Sequence, residues 1–313
     1  MSKESVLVEM VEVSLCPACQ QKIGKAWRLV KGWNLDKCRS CGMIYANPAP
    51  SEKALQRAYA LPEKEYNEFF QSGYIDTKTI LGGNASWQRK VSNNYLDAIE
   101  KLLPARGRMF EIGCGSGIFL EEAQRRGWET TGVDLGDWRA DPERDRKLNI
   151  YNGTLFDVLY EAGSFDVVFM AALLEHLQDP WRHMDAIYKL LKPGGMIYMT
   201  SLPNINSWTI RLGVDKWIGN HPPAHLLYFN HRTVKLVLRR AGFKKIRVRS
   251  YGMSETILEV VFNRKKQKYS GSYAGYVYES SVKGMGVRIC RALVYAFLNL
   301  TGTGSVLEVM GEK

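Results

Sequence analysis

The segment from Met109 to Arg126 constrains the fold of this chain more than any other part of the sequence. Met109 to Ile112 is a short apolar run typical of a buried strand, and Ile118 to Arg126 is predicted as a helix. Between them stands Gly113-Cys-Gly-Ser-Gly117, whose glycines permit a tight turn and leave backbone N–H groups at the start of the helix. This strand, turn and helix together predict a ligand site at the end of a strand.

Predicted strands and helices alternate along the chain after residue 108. The further predicted strands are Thr130–Val133, Ile150–Leu155, Phe165–Ala172, Met196–Ser201 and Phe243–Ser250, and the further predicted helices are Pro180–Leu191 and Thr233–Ala241. This alternation is typical of a parallel sheet with crossover helices on both faces. The predicted fold class is therefore α/β, with a doubly wound sheet.

The glycine run and Asp134 indicate what the crevice of such a sheet binds. A dinucleotide fingerprint needs G-x-G-x-x-G, but here the third glycine comes one residue early and Ile118 occupies the glycine position, which argues against NAD. Asp134 ends the second predicted strand, where a carboxylate accepts hydrogen bonds from ribose hydroxyls, although a loop aspartate that caps the next helix is the alternative. Together these features predict a nucleoside ligand.

Four of the six cysteines form two C-x-x-C pairs, at Cys16, Cys19, Cys38 and Cys41. This spacing is typical of a zinc ribbon, and a reducing compartment disfavours disulfides, although buried or redox-active cysteines are the alternatives. Four thiolates leave no open coordination position, so the zinc is predicted to be structural. The run from Ala26 to Trp33 is predicted as one short strand, and Cys114 as a small packing residue.

Length and composition indicate a folded protein of about two domains. The chain has 313 residues, of which 45% are hydrophobic and 24% charged, which excludes a disordered or fibrous protein. We expect a zinc ribbon at 1–47, a helical linker and cofactor-site lid at 48–104, an α/β domain at 105–250 and a C-terminal extension at 251–313. In the linker, Ser51 to Ala60 is predicted as a helix, and a longer helix is expected from an N-cap at Ser86 to Pro104.

The charge distribution favours anionic partners without choosing among them. The net charge is +11, and the excess is concentrated between Arg232 and Lys268. Such a block attracts phosphate-bearing metabolites, nucleic acid or an anionic membrane, or it is a solvated face. Gly284 to Leu300 is predicted as a helix packed on the sheet or on a partner, with peripheral membrane contact as the alternative. Neither a transmembrane segment nor a signal peptide is predicted, so a cytoplasmic protein is expected.

Several motifs now occur in an order that resembles a known family. They are Glu111-Ile-Gly-Cys-Gly-Ser-Gly117, Gly132-Val-Asp134-Leu135, Phe165-Asp-Val-Val followed by Leu174-Glu-His-Leu177 and Asp179-Pro180, and Leu190-Leu-Lys-Pro-Gly-Gly195. Over residues 105 to 250 this series resembles class I S-adenosylmethionine-dependent methyltransferases, which have a Rossmann-like fold. Leu226-Leu-Tyr-Phe229 and Ala241-Gly-Phe243 also resemble the bacterial branch that methylates quinones, sugars and other secondary metabolites.

The resemblance implies S-adenosylmethionine as the cofactor and assigns its contacts. Gly113, Gly115 and Gly117 would line its methionine and ribose parts, Asp134 would hold the ribose hydroxyls, and Glu111 would support the loop and the amino group. The same resemblance places the adenine against Leu135 and beside Thr154 to Phe156. Asp or Asn is frequent in the family where this chain has Leu155.

Methyl transfer from a sulfonium depends mainly on alignment and exclusion of water, and a base is needed only for a protonated nucleophile. His176, just past the fourth strand, and His225, in the insertion from Pro203 to Asn230, are the candidate bases or substrate-orienting groups. His221 in the same insertion is a weaker candidate, and a structural role is the alternative for each. His183 and His231 are predicted as helix-surface or capping residues.

The predicted function is therefore methylation of a hydroxyl on a small, glycosylated or lipid-linked metabolite, with S-adenosylmethionine as cofactor and a structural zinc ion. One alternative is an RNA base methyltransferase, since some rRNA guanine methyltransferases also begin with a zinc ribbon and a basic block follows a phosphate backbone. The other is a non-catalytic binding protein that retains the fold.

Overall fold

A computed structural model describes residues 9–61 except 23 and 31, residue 65, and residues 85–136, 148–211, 222–252 and 285–313. The strands are β1 (Met10–Val11), β2 (Lys25–Val30), β3 (Trp33–Lys37), β4 (Ile44–Ala46), β5 (Ala49–Pro50), β6 (Arg108–Ile112), β7 (Glu129–Asp134), β8 (Ile150–Asn152), β9 (Phe165–Ala171), β10 (Leu191–Pro203), β11 (Leu227–Tyr228), β12 (Lys244–Tyr251) and β13 (Val306–Glu312). The helices are α1 (Glu52–Tyr59), α2 (Ala85–Glu100), α3 (Ile118–Arg125), α4 (Pro180–Leu190), α5 (Trp208–Arg211), α6 (His231–Arg240) and α7 (Met285–Thr301), with short 3-10 turns at Leu155–Asp157 and Leu174–His176.

Seven strands form the main sheet, in the order β12-β13-β10-β9-β6-β7-β8. The neighbouring strands β10, β9, β6, β7 and β8 are parallel to one another. Strand β13 lies between β10 and β12 and runs antiparallel to both. The predicted α/β fold with a doubly wound sheet is confirmed. Strand β6 lies between β7 and β9, so the strand order reverses there, and ligands bind beside such a switch point at the carboxyl ends of the strands.

Alternating side chains of the strands pack against helices on the two faces of the sheet. On one face, Leu96 and Ile99 of α2 and Phe119 of α3 are buried with Phe169 of β9, whose ring stacks on Phe119 at 3.8 Å between centroids. On the other face, α4 and α6 bury an aliphatic group against the intervening residues of the same strands: Met184, Ile187, Val234, Val237 and Leu238. Burial of each large side chain contributes about 2 kcal/mol.

Ion pairs hold α2 on α3 at the rim of that first face. Arg89 contacts Glu121 at 2.9 Å and Glu122 at 2.5 Å, and Arg126 contacts Asp97 at 2.7 Å. Helix α2 therefore has the predicted packing against the main domain. Its predicted N-cap is wrong, because Ser86 lies within the helix, which includes Ala85.

Two strand predictions need correction. The run from Ala26 to Trp33 does not form one strand, because β2 and β3 pair antiparallel around a turn in which Gly32 has a φ of +83°. The predicted strand from Ile150 ends at Asn152, and Leu155 begins a 3-10 turn capped by the Thr154 side chain. In both cases the turn contains a glycine at positive φ, Gly32 and Gly153, a turn signal that the strand prediction did not use.

The C-terminal segment belongs to the main sheet. Strand β13, in the region expected to be a separate extension, lies between β10 and β12 with Leu307 and Val309 fully buried, so the expected boundary at 250 does not end the sheet. Helix α7 packs on β12, where Asn299 Oδ1 accepts a hydrogen bond from the Ser250 N–H at 3.2 Å. Its remaining surface exposes Leu293, Phe297 and Leu300.

The cysteine-containing segment adds its own small sheet, in the order β11-β4-β3-β2. Strand β11 comes from the insertion after β10, so the ribbon and the α/β domain share this sheet. The ribbon also docks on α4, where Trp181 Nε1 donates to the Pro17 carbonyl at 2.5 Å and the Arg240 guanidinium stacks 3.9 Å from the Trp181 ring centroid. Within the described ranges, no helix combines the length and the apolar character needed to cross a bilayer.

Candidate functional site

The glycine loop lies at the carboxyl end of β6, beside the switch point. The Gly113 and Cys114 N–H groups donate to the Val133 carbonyl at 2.8 and 3.2 Å, which fixes the loop against β7. Gly115 and Gly117 have φ angles of +47° and +73°, which non-glycine residues rarely adopt. A Cβ on Gly115 would meet no atom within 4 Å, so the loop backbone borders open space. The predicted turn thus leaves room for a ligand at the backbone.

Asp134 ends β7 directly opposite this loop. Its carboxylate accepts hydrogen bonds from the Gly115 N–H and the Gly136 N–H, both at 2.8 Å. The structure thus brings together the two features that the sequence predicted for a nucleoside ligand. The carboxylate also ties the two loops that border the crevice.

Glu111 is a buried carboxyl group behind the loop. Only 5% of its surface is exposed, and among the described residues its Oε2 has no hydrogen-bond partner. Burial, and secondarily the charge of Asp134, raise the pKa of Glu111 well above its usual range. A cationic group of a ligand would satisfy this oxygen and favour the ionised carboxylate.

The residues predicted beside the adenine lie next to Asp134. The Leu135 carbonyl accepts a hydrogen bond from Asn152 Nδ2 at 3.1 Å, which joins the ends of β7 and β8. Leu155 is buried in the core at the start of its 3-10 turn, and the neighbouring Phe156 ring lies 3.8 Å from the Arg182 guanidinium. The Leu155 side chain is therefore part of the apolar core and forms no hydrogen bond to a ligand, unlike the Asp or Asn that is frequent at this position in the family.

Both candidate histidines meet at the carboxyl end of β9. The ring centroids of His176 and His225 are 4.8 Å apart, and His225 is 1% exposed. Glu175 joins them, because its carboxylate and the two imidazoles have ligand atoms within 4.8 Å of one another. Tyr59 of α1 places its hydroxyl 2.8 Å from His176 Nδ1. Sequence reasoning missed Glu175 and Tyr59 as site residues, although Glu175 stands inside a quoted motif.

Backbone contacts assemble this cluster from three parts of the chain. Ala172 has a φ of +48° at the end of β9, which turns the chain into the Leu174–His176 segment. The Leu226 N–H donates to the Glu175 carbonyl at 2.9 Å, and the Leu226 carbonyl accepts from the Ala46 N–H of β4 at 2.9 Å. The ribbon sheet therefore holds the residue next to His225.

The other histidines and Cys114 have different surroundings. His183, predicted as a helix-surface or capping residue, is buried, so the surface prediction is wrong, and its Nδ1 lies 2.7 Å from the carbonyl of Asp179, the N-cap of α4. Cys114 is buried, and a Cβ on Gly132 would lie 2.8 Å from its sulfur, so its packing role is confirmed. His221 lies outside the described residues.

The four ribbon cysteines converge as their spacing predicted. Their sulfurs all lie within 4.8 Å of one another, with Cys16 and Cys41 at 3.5 Å and Cys19 and Cys38 at 3.6 Å. The hydrogen bond between Cys16 and Cys41 lowers the pKa of Cys41 to about 5 and raises the pKa of Cys16. This donor set fits a tetrahedral zinc ion, which binds thiolates.

Comparisons with known proteins agree with this architecture. A family model described as a methyltransferase domain matches residues 87–248, slightly more than half of the 313 residues. A S-adenosylmethionine-dependent methyltransferase from Archaeoglobus fulgidus has the same fold, with a TM-score of 0.50 and 20% identity, covering 76% of this chain and 98% of that one.

Curated relatives match a shorter region. The ubiquinone biosynthesis O-methyltransferase of Psychrobacter cryohalolentis is 32% identical over 131 residues, which are 37% of this chain and 50% of the relative. The enzyme of the same name from Psychrobacter arcticus is 36% identical over 107 residues, 30% of this chain and 40% of the relative. The chain thus spans about half the length, or less, of these relatives.

The matched region runs from α2 into β12 and contains the glycine loop, Asp134 and both candidate histidines. Together with the seven-stranded sheet, it shows that this chain belongs to the methyltransferase-domain family of class I, S-adenosylmethionine-dependent methyltransferases.

Proposed function

We propose that this protein transfers the methyl group of S-adenosylmethionine to a hydroxyl oxygen of a small or glycosylated metabolite. The observation that carries the proposal is the contact between the two halves of the site. A Cβ on Gly113 of the glycine loop would lie 3.3 Å from Leu173, two residues before Glu175. The glycine loop therefore packs against the segment that carries Glu175 and His176, and we infer that the cofactor and the acceptor hydroxyl meet there.

The residues around the glycine loop suit S-adenosylmethionine. Bound there, this cofactor supplies an electrophilic methyl group on a positively charged sulfur. Asp134 is the acceptor for ribose hydroxyls, and the unsatisfied Glu111 Oε2 is the acceptor for a cationic group. Gly115 lets the backbone approach the ligand, while Gly113 and Gly117 shape the loop at positive φ. The half-buried Leu135 provides apolar surface for the adenine, and the buried Leu155 lies behind it in the core.

His176 and His225 act on the acceptor hydroxyl in this proposal. A hydroxyl is a poor nucleophile until its proton is held or removed, and imidazoles near that oxygen meet this need near neutral pH. The burial of His225 also excludes water from the reacting oxygen. Loss of the O–H proton accompanies formation of the new O–CH₃ bond and release of a neutral thioether.

Oxygen is favoured as the acceptor atom because the relatives at 32% and 36% identity are named O-methyltransferases of ubiquinone biosynthesis. The packing of the ribbon favours a small-molecule substrate over RNA. Trp181, Arg240 and β11 of the α/β domain contact the ribbon and cover part of the surface that would otherwise face a nucleic acid. We assign a structural zinc ion to Cys16, Cys19, Cys38 and Cys41.

Calorimetric titration with S-adenosylmethionine, followed by incubation with methyl-labelled cofactor and fractionated cell extract, tests the proposal. We expect saturable binding, and label in the soluble-metabolite or lipid fraction. Label in RNA would support the RNA methyltransferase alternative instead. Absence of any binding heat for either S-adenosylmethionine or S-adenosylhomocysteine would leave the non-catalytic alternative.

A further inference from the structure

We propose that Glu175, His176 and His225 bind a divalent first-row transition-metal ion, distinct from the ribbon zinc. The three side chains place a carboxylate oxygen and two imidazole nitrogens within 4.8 Å of one another, a separation that one ion can bridge. The inference rests on the proposed function, because it specifies that the two histidines act on the acceptor hydroxyl as ligands of a cation.

Glu175 supplies an observation independent of the clustering. It is 1% exposed, and among the described residues neither of its carboxylate oxygens has a hydrogen-bond partner. His176 Nε2 lies 3.8 Å from Glu175 Oε1, beyond hydrogen-bond length. A buried carboxyl group without partners is costly, and coordination of a cation would remove that cost.

The hydrogen bonds of His176 indicate which ring nitrogen has a lone pair for a metal ion. His176 Nδ1 lies 2.8 Å from the Ala224 carbonyl oxygen, which only accepts hydrogen bonds, and 2.8 Å from the Tyr59 hydroxyl, which accepts or donates. Both contacts are satisfied when Nδ1 carries the proton. In that tautomer Nε2 has the lone pair and faces Glu175. A histidine that donates its other N–H to a backbone carbonyl is the usual arrangement of a metal ligand.

The position of His225 is fixed by its neighbours. Ala224 accepts from His176, and the Leu226 N–H donates to the Glu175 carbonyl at 2.9 Å. Both residues that flank His225 are therefore hydrogen-bonded to the segment that carries the other two ligands. The three donors are prearranged by backbone contacts, as a specific metal site requires.

Two imidazoles and one carboxylate determine the class of ion and its use. This donor set suits zinc, manganese, iron or cobalt in the divalent state better than calcium or magnesium, which prefer oxygen ligands. Three protein ligands leave open positions, in contrast to the four-cysteine site. An acceptor hydroxyl bound at an open position would lose its proton to water more readily, and its oxygen would then take the methyl group as the S–CH₃ bond breaks.

Titration with Co²⁺ of protein that carries one zinc ion per chain, held in the four-cysteine site, followed by visible absorbance, tests the site directly. We expect a signal that saturates at one equivalent per chain and lacks the thiolate-to-cobalt charge-transfer band of a cysteine site. Glu175→Gln and His225→Asn should each weaken Co²⁺ binding at least ~100-fold, and Tyr59→Phe, which leaves all three ligands, about 10-fold. His183→Asn, at a buried histidine outside the cluster, should bind as the wild type does.

The inference is overturned if the wild type gives no such signal at saturating Co²⁺, or if all three cluster variants bind Co²⁺ as the wild type does. Circular dichroism identifies a variant that fails to fold, in which case Tyr59→Phe decides. S-adenosylmethionine titration of the same samples separates this result from the proposed function. Cofactor binding without Co²⁺ binding removes only the metal site, and Co²⁺ binding without cofactor binding removes only the proposed function.

Discussion

Asp134 is the residue on which we expect cofactor recognition to depend most. Its carboxylate accepts hydrogen bonds from the Gly115 and Gly136 N–H groups, both at 2.8 Å, so it ties together the two loops at the border of the crevice. Local spacing was sufficient to predict this position, because a strand and its following turn are continuous in sequence. The cofactor role itself stays a prediction.

Asp134→Ala should weaken S-adenosylmethionine binding by at least ~100-fold, since loss of a charge-assisted acceptor and its loop contacts costs about 3 kcal/mol. Calorimetric titration measures the loss. The control is Asp185→Ala, which removes an exposed carboxylate of α4 and should leave the affinity unchanged. Equal affinities in the two variants would contradict the assignment of Asp134.

The burial of His183 predicts how the free energy of unfolding depends on pH. Burial lowers the pKa of His183, and the Asp179 carbonyl only partly opposes this effect. The unfolded chain protonates this histidine near pH ~6.5, whereas the folded chain resists protonation to a lower pH. As the pH falls through about 6.5, the unfolded chain takes up a proton at this histidine before the folded chain does. The free energy of unfolding should therefore fall as the solution is acidified.

Urea unfolding of the wild type and His183→Gln at about pH 7.5 and about pH 5.5 measures this contribution. We expect the variant to lose less of its unfolding free energy on acidification than the wild type. An identical loss in both proteins would show that His183 does not contribute to the acid sensitivity.

At the scale of elements, the ribbon and the histidine cluster are connected through one strand pair. Strand β4 begins three residues after Cys41 and pairs with β11, which begins two residues after His225. The convergence of the four cysteines was predictable from their spacing, but this connection was not. A two-residue strand such as Leu227–Tyr228 has too short a pattern to be predicted, and its partner lies in a distant part of the chain.

Loss of the ribbon metal should therefore impair the cluster more than the cofactor crevice. For Cys38→Ser with Cys41→Ser we expect no zinc in the four-cysteine site, a lower melting temperature and about 100-fold slower methyl transfer, the usual cost of a displacement near 1 Å. S-adenosylmethionine affinity should change little, because Asp134 and the glycine loop make their contacts within the α/β domain. Elemental analysis, melting curves and calorimetry measure these effects.

The control is Cys114→Ala, at a cysteine outside the ribbon, which should retain the ribbon zinc. Unchanged turnover in the zinc-free variant would contradict the connection.

At the scale of the whole molecule, β13 is an interior strand of the main sheet, between β10 and β12, although it comes last in the sequence. Strand β13 pairs with β10 over Met196 to Pro203 and with β12 over Lys244 to Tyr251. The sheet therefore depends on residues near the end of the sequence, more than 50 residues after β12. Its stability should be sensitive to this strand and insensitive to the outer surface of α7.

Leu307→Ala and Leu300→Ala form a matched pair for this prediction. Leu307 is fully buried in β13, whereas Leu300 of α7 is 87% exposed. We expect Leu307→Ala to lower the free energy of unfolding by about 3 kcal/mol and Leu300→Ala by no more than about 0.5 kcal/mol. Chemical denaturation distinguishes these values, and similar losses for both would argue against a structural role for β13.

The sequence alone determined the features that depend on neighbouring residues. The glycine loop, Asp134 at the end of β7 and each of the two C-x-x-C pairs lie within a few residues of sequence, and their geometry follows from local backbone preferences. The alternation of strands and helices likewise determined the fold class, because each element shows its own periodicity. These were the parts that sequence reasoning predicted correctly.

Only the tertiary structure decided how distant segments meet. Tyr59 and His176 are 117 positions apart, yet their hydroxyl and imidazole are 2.8 Å apart, and no periodic pattern links them. The same holds for the placement of β11 beside β4 and of β13 between β10 and β12. Such contacts depend on which surfaces pack together and which strand edges are left to be paired. Both are properties of the assembled core, and no single element contains them.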